Sequence, residues 1–228
     1  MLTMKLSASI LTIALCAGSA MAEVTPTTEG ARITLDSVTT EVKVCSPTQV
    51  RVIKYIGNND ATPSESSTHK YKRVAADGKY KIDTGEYYVA INEKDGNVSF
   101  WNHDGTLIMA EQHRQYSLTP VPGTDRYTVR QDYQIGRSGA QSIFTPGNEK
   151  NLIGTLAELG SALPSSCIVT DKGYAVCWQS GLPGRMDDTP GRNVKKPGDV
   201  TFTSDTADAI TYTFIYPADT SSLTSFDW

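Results

Sequence analysis

Few residues of this chain stand at spacings that could support catalysis. The three histidines, His69, His103 and His113, lie in polar or turn contexts, and no Gly-x-Ser-x-Gly motif of a serine hydrolase occurs. Glu111 and His113 would share one face of a strand, but metal sites usually need three or four converging ligands. The sequence also lacks a phosphate-binding glycine-rich loop. We therefore expect neither a metal ion nor a cofactor.

Acid pairs are the second kind of chemistry to consider, because glycoside hydrolysis uses two carboxylates that flank the scissile bond. The chain has 25 acidic residues, and Asp187-Asp188 is the most conspicuous pair. Adjacent residues of a strand point to opposite faces of the sheet. The pair is therefore better interpreted as part of a solvated loop between Pro183 and Pro190.

Aromatic side chains could bind a sugar by stacking on its ring. Trp101 and Trp178 are the candidates, in a chain with three tryptophans and 11 tyrosines. Aromatic residues that alternate along strands are more often part of the core. Both interpretations stay open for these two tryptophans.

A cysteine pair has a spacing that suits a hairpin. Gly173 would supply the left-handed residue of a three-residue loop, and counting outward from it places Cys167 opposite Cys177. Directly opposed strand residues lie within disulfide reach. A cross-strand disulfide between Cys167 and Cys177 is one interpretation, and two small buried thiols are the other.

The elements that must position these residues are predicted to be strands. Turn signals recur every 8 to 12 residues or so, and the runs between them are rich in Val, Ile, Thr and Tyr. Asp95-Gly96 and Asp104-Gly105 separate short apolar runs, which is a strong hairpin signal. Residues 149–159 are the exception, because their leucines have helical spacing. The prediction is one all-β domain, a sandwich of a dozen or more mostly antiparallel strands.

The N-terminus has the pattern of a secretory signal. Lys5 precedes an apolar run, and the small residues Ala20-Met21-Ala22 follow it. We expect cleavage near Ala22 and export to the periplasm or the outside of the cell. A flexible start over residues 23–30, a sandwich over 31–217 and a tail over 218–228 would remain.

Composition excludes several partners. The formal net charge is −4, and no basic stripe stands out, which argues against a nucleic-acid partner. After the signal no apolar run approaches the roughly 18 residues needed to span a bilayer. Length excludes a further arrangement, because a (β/α)₈ barrel alone typically needs about 250 residues. We therefore expect that these residues do not hold both a sandwich and a barrel.

An ordered set of short motifs resembles the N-terminal domain of family 31 glycoside hydrolases, the family of α-glucosidases and α-xylosidases. The set extends over about residues 31–216 and consists of Glu41-Val42-Lys43-Val44, Gln49-Val50-Arg51-Val52, Ile82-Asp83-Thr84, Gly96-Asn97-Val98-Ser99-Phe100, Asp104-Gly105, Glu111, the "PGNEKNLIGTL" run from Pro146, the "VTDKGYAV" run from Val169 and the "ITYTFIY" run from Ile210. The resemblance implies a galactose-mutarotase-like β-supersandwich. In the family, this domain packs beside the catalytic barrel and contributes a loop to the substrate pocket.

The resemblance also implies where a sugar would be contacted. The "NLIGT" run begins at Asn151, and in one branch of the family an Asp shortly after it reaches toward the sugar. Gly160 occupies the aligned position here, and Glu158 lies nearby. The candidate carbohydrate-binding residues are therefore Asn151, Glu158, Trp101 and Trp178. The family's catalytic carboxylates lie on the barrel, so no catalytic residue carries over.

Three functions are compatible with these observations. The chain could be the non-catalytic sandwich of a family 31 glycosidase, inert alone, with the barrel downstream or separately encoded. It could instead be a free-standing carbohydrate-binding module. The third alternative is a sandwich that serves protein contact.

Overall fold

A computed structural model describes residues 23–57, 71–76, 79–135, 154–155, 166–169, 173–178, 184–187 and 199–217. None of these residues is helical, so the described part contains no helix that is long and apolar enough to cross a membrane. They form 16 strands, namely β1 (Thr25–Pro26), β2 (Gly30–Leu35), β3 (Val38–Ser46), β4 (Gln49–Ile56), β5 (Lys72–Ala76), β6 (Lys79–Asp83), β7 (Tyr88–Asn92), β8 (Val98–Trp101), β9 (Leu107–Pro120), β10 (Tyr127–Ile135), β11 (Gly154–Thr155), β12 (Ser166–Val169), β13 (Ala175–Trp178), β14 (Gly184–Asp187), β15 (Asp199–Ala207) and β16 (Ile210–Ile215).

The strands make two sheets. One has seven strands in the order β1-β2-β3-β4-β16-β13-β12, and the other has nine in the order β11-β14-β15-β10-β9-β8-β7-β6-β5. Neighbouring strands are antiparallel in both sheets. The predicted all-β sandwich of a dozen or more strands is confirmed.

The meander β6 to β9 follows from its turn residues. Gly96 has a φ of 68° and Gly105 a φ of 87°, the left-handed conformation that glycine adopts without steric cost. Gly96 lies in the turn between β7 and β8 and Gly105 in the turn between β8 and β9, so the chain reverses at each of the two Asp-Gly pairs. The hairpins predicted at these pairs are confirmed.

The core lies between the sheets and is rich in aromatic rings. Phe100 on β8 stacks on Phe214 on β16 with ring centroids 3.9 Å apart, and Trp178 on β13 stacks on Phe202 on β15 at 5.5 Å. All four side chains are at most 2% exposed. Each stacked pair joins one sheet to the other, and burial of such large rings is a dominant stabilising contribution in a sandwich.

One predicted element is wrong where the structure describes it. Gly154 and Thr155 form β11, paired with Met186 and Arg185 of β14, rather than the middle of a helix over residues 149–159. Glycine is a poor helix former, whereas pairing with the edge of an existing sheet satisfies its backbone groups. The rest of that stretch lies outside the described residues.

Candidate functional site

The outer side of the nine-stranded sheet carries two aromatic rings side by side. Tyr88 on β7 is directly opposite Trp101 on β8. Their neighbours Val89 and Phe100 are fully buried, so Tyr88 and Trp101 point away from the core. Both rings are partly exposed.

A hydrogen bond to Ser99 holds the Trp101 indole on this face. Its Nε1–H donates a hydrogen bond to the Ser99 hydroxyl at 2.8 Å, which directs the ring along β8 on the outer face. Ala90 is directly opposite Ser99 on the same face and is nevertheless only 2% exposed. The register shifts next to Trp101, because Phe100 pairs with Met109 while Trp101 pairs with Leu107. Such a β-bulge changes the direction of a neighbouring side chain, which here is that of Trp101.

Two ammonium groups lie beside these rings. Lys81 Nζ is 3.6 Å from the centroid of the Tyr88 ring, and Lys79 Nζ is 5.0 Å from that of Trp101. Both distances are within the range of a cation–π interaction. Among the described residues, neither lysine has a carboxylate within salt-bridge distance. Both ammonium groups are therefore able to pair with an incoming anion.

An imidazole–carboxylate pair completes this surface. His103 Nε2 lies 3.1 Å from Asp83 Oδ1, and the His103 ring meets Tyr88 edge-on at 4.6 Å. Burial acts to raise the pKa of Asp83, but the Gly85 N–H and His103 outweigh it, so the pKa is lowered from 3.8. We call Tyr88, Trp101, Lys79, Lys81, Asp83 and His103 the outer aromatic face.

A second polar cluster lies inside the sandwich, and the sequence analysis missed it. Lys54 Nζ on β4 is 2.9 Å from Glu111 Oε2 on β9, and both side chains are 0% exposed. Lys54 also donates to the Gly96 carbonyl at 3.0 Å and to the Thr40 hydroxyl at 3.3 Å, and its Nζ lies 4.4 Å from the centroid of the Tyr116 ring. The available signal was a lysine at a position that shares its strand face with the buried Val50 and Val52.

Both carboxylate oxygens of Glu111 also have hydrogen-bond partners. Its Oε2 accepts the Val98 N–H at 2.7 Å, and its Oε1 accepts the Tyr212 hydroxyl at 3.0 Å. An irregular register on β9 brings it there, because Gln131 pairs with Tyr116 whereas Tyr133 pairs with Glu111. The cluster therefore ties the two sheets together, and its complete burial keeps it from any substrate.

The predicted absence of a metal site can be compared with this arrangement. Glu111, one of the two residues considered, points into the core toward Lys54. Nothing is described of the His113 side chain. Within the described ranges, no group of three or more His, Cys, Asp and Glu side chains could hold a metal ion.

The structure corrects the sugar-stacking candidate Trp178. Its side chain is 2% exposed, because one face stacks on Phe202 and its edge packs against Tyr133 at 5.5 Å. The indole N–H donates to the Tyr133 hydroxyl at 3.0 Å. Trp178 therefore has no free ring face for a sugar, whereas Trp101 is partly exposed.

The structure describes only some of the remaining predicted residues. Asn151, Glu158, His69 and Asp188 lie outside the described residues. Asp187 is the last residue of β14, opposite Thr201.

The cysteine hairpin has the predicted register. Cys167 on β12 is directly opposite Cys177 on β13, and Gly173 in the connection has a φ of 75°. Cys177 is in a disulfide-bonded state, whereas Cys45 has a thiol that donates a hydrogen bond to the Lys43 carbonyl at 3.8 Å. The side chain of Cys167 is not among those described, so the bridge between this pair stays a prediction.

Comparison with known proteins supplies a fold relationship. No protein-family model and no curated protein matches the sequence. The fold is similar to that of a family 31 α-xylosidase from a soil metagenome solved with xylose (TM-score 0.61, 16% identity, 85% of this chain and 32% of that one). It is also similar to a family 31 dextranase of Flavobacterium johnsoniae solved with glucose (0.59, 10%, 89% and 27%). A cycloalternan-forming enzyme of Listeria monocytogenes solved with a pentasaccharide substrate matches likewise (0.59, 10%, 86% and 20%).

These matches share one feature. The chain is covered almost completely each time, yet it spans only about a fifth to a third of the length of the solved chains. The fold expected from the sequence motifs is therefore confirmed. The chain has the β-sandwich fold of one portion of larger family 31 glycosidases.

Proposed function

We propose that this chain is an exported, non-catalytic β-sandwich that is associated with carbohydrate and packs beside the catalytic domain of a family 31 glycosidase. The observation that carries the proposal is the asymmetry of the fold matches, which take in 85% or more of this chain but a third or less of each enzyme. Export is proposed from the signal pattern that ends at Ala22.

The described side chains support a non-catalytic role. The ion pair of Lys54 with Glu111 has both side chains 0% exposed and satisfied by hydrogen bonds, as structural ion pairs are. On the surface, Asp83 is engaged by His103 and by the Gly85 N–H. Neither arrangement has two carboxylates facing a common gap, which glycoside hydrolysis requires.

Immunoprecipitation of the chain from its native host tests the association. We expect antibodies against the sandwich to bring down α-glycosidase activity, either on the same polypeptide or in a complex, while pre-immune serum brings down none. Recovery of the sandwich without glycosidase activity would contradict the proposal. N-terminal sequencing of the recovered protein tests export, and we expect it to begin at Glu23.

The exposed Trp101 favours a second candidate, a free-standing carbohydrate-binding module. Its indole is held by the Ser99 hydroxyl and is partly exposed, which is compatible with stacking on a pyranose ring. Calorimetric titration with neutral α-glucan and xyloglucan oligosaccharides tests this alternative. Two results together would favour this module over the first candidate. The chain would bind one of these oligosaccharides and lose that binding in Trp101→Ala, and the immunoprecipitation would recover no glycosidase activity with it.

A further inference from the structure

We propose that the outer aromatic face binds an acidic oligosaccharide, one with uronate carboxylates on a pyranose backbone. This inference rests on the proposed association with carbohydrate and adds the chemical class of the ligand. It follows from the combination on one sheet face of a supported indole, a second ring directly opposite and ammonium groups placed over both.

The rings account for recognition of the sugar. Trp101 and Tyr88 are directly paired across β7 and β8, so both rings lie on the same face of the sheet. The hydrogen bond from Trp101 Nε1 to the Ser99 hydroxyl fixes the indole before a ligand arrives. A ring held in this way loses little conformational entropy when a flat sugar face stacks on it.

The charges account for the preference for an acid. Lys79 and Lys81 lie beside the two rings, and Lys72 lies opposite Asp83 at the edge of the same face. The one acid among these residues, Asp83, is engaged by His103 and the Gly85 N–H. The whole chain carries a net charge of −4, whereas these residues comprise three lysines and one acid, so the local charge of this face favours an anion.

Calorimetric titration of the mature chain with an oligogalacturonide tests the proposal, and the methyl-esterified form of the same oligosaccharide is the neutral control. We expect the acid to bind and the ester to bind at least about five-fold more weakly, with the acid's advantage shrinking as salt screens the charges. Equal affinity for acid and ester, or no binding of the acid at low salt, would overturn the proposal.

Variants locate the site. Lys79→Gln and Lys81→Gln should each weaken binding of the acid about two- to five-fold, as exposed ion pairs do. Lys94→Gln is the matched control, because it changes the net charge equally at an exposed position in the β7–β8 turn outside this face. A loss in Lys94→Gln as large as that in Lys81→Gln would mean that net charge alone attracts the ligand, which contradicts the proposal.

Trp101→Ala should weaken binding about ten-fold, because the stacking surface is removed. A cooperative thermal unfolding transition shows that this variant is folded. If the variant does not fold, Trp101→Phe together with the two lysine variants makes the same test. Unchanged affinity in the folded tryptophan variant would exclude the indole from the site. None of these binding measurements changes the result of the immunoprecipitation of glycosidase activity from the host. The proposed function and this further inference can therefore be refuted separately.

Discussion

At the scale of single residues, the pair of Lys54 and Glu111 shows how a sandwich tolerates charge in its core. Each carboxylate oxygen accepts a hydrogen bond from a different sheet, since Val98 lies on β8 and Tyr212 on β16. Taking two ions out of water costs several kcal/mol each, and only their close approach and the added hydrogen bonds offset this cost. The fold therefore tolerates the two buried ions as a pair, whereas removal of either partner should destabilise the protein.

Glu111→Gln tests this dependence. We expect the free energy of unfolding to fall by about 3–5 kcal/mol, because the Lys54 ammonium stays buried without its counter-ion. Urea denaturation measures the loss through the midpoint and slope of the transition. Asp208→Asn is the control, because it breaks the exposed ion pair with Arg126 and should cost at most about 1 kcal/mol. A loss of less than about 1 kcal/mol in Glu111→Gln would refute the account of this pair.

The two tryptophans that the sequence could not distinguish should differ sharply in stability. Trp178→Ala removes a ring buried against Phe202 and Tyr133, so we expect a loss of about 3–5 kcal/mol. Trp101→Ala removes a partly exposed ring, and its cost should stay near 1 kcal/mol or below. Denaturation of both variants by urea measures the difference. Equal losses would mean that Trp101 is a core residue and not a surface ring.

The pH dependence of Asp83 follows from its partners. Its folded pKa is lowered below 3.8, so its interactions with Gly85 and His103 contribute stability above the unfolded pKa of about 3.9. That contribution is lost as the pH falls through the lower folded pKa. Carboxyl NMR titration should place the pKa of Asp83 below 3.8 and should show it rising in His103→Ala. A pKa that the variant leaves unchanged would show that His103 does not act on this carboxyl.

At the scale of elements, the hairpin of β12 and β13 is the place where a covalent link would matter most. Among the strands that the structure describes, β12 is at the edge of the seven-stranded sheet and pairs with β13 only. A bridge from Cys167 to Cys177 would tie this edge to the sheet and stabilise the fold by about 2–4 kcal/mol. Peptide mapping without reduction should find the two cysteines linked and Cys45 free. A mature chain with every thiol free would contradict the bridge, and Cys45→Ser should leave the map unchanged.

Local patterns predicted the elements that are governed locally. The meander was predictable because Asp95-Gly96 and Asp104-Gly105 stand between short apolar runs. Glycine adopts the left-handed conformation that such turns need, so the local sequence alone indicates that the chain reverses there. The pairing of Cys167 with Cys177 was predictable because a hairpin loop fixes its register. The strand β11 was not, because the pairing of Gly154 with Met186 is a tertiary contact that overrides the helical spacing of nearby leucines.

The candidate site was predictable only in its residue types. Trp101 and Trp178 both follow alternating apolar runs, and the side to which each ring points depends on which sheet face meets the other sheet. Lys81 and His103 were not singled out, because their position beside Tyr88 depends on pairing across β6, β7 and β8. The Lys54–Glu111 pair joins strands that are far apart in sequence, so only the packed sandwich reveals it.

At the scale of the whole molecule, the two faces of the nine-stranded sheet have different tasks. Its inner face packs aromatic rings such as Phe100 and Phe202 against the seven-stranded sheet and supplies stability. Its outer face exposes the rings and lysines of the outer aromatic face. A sandwich with this division can change its surface without altering its core.

The central claim, that this sandwich does not itself cleave glycosides, is tested most directly by a turnover assay. The purified mature chain is incubated with an aryl α-xyloside and an aryl α-glucoside, and release of the aryl alcohol is followed. We predict release at the rate of the buffer alone. Release above that rate that is abolished by substitution of a carboxylate within the chain would contradict the claim.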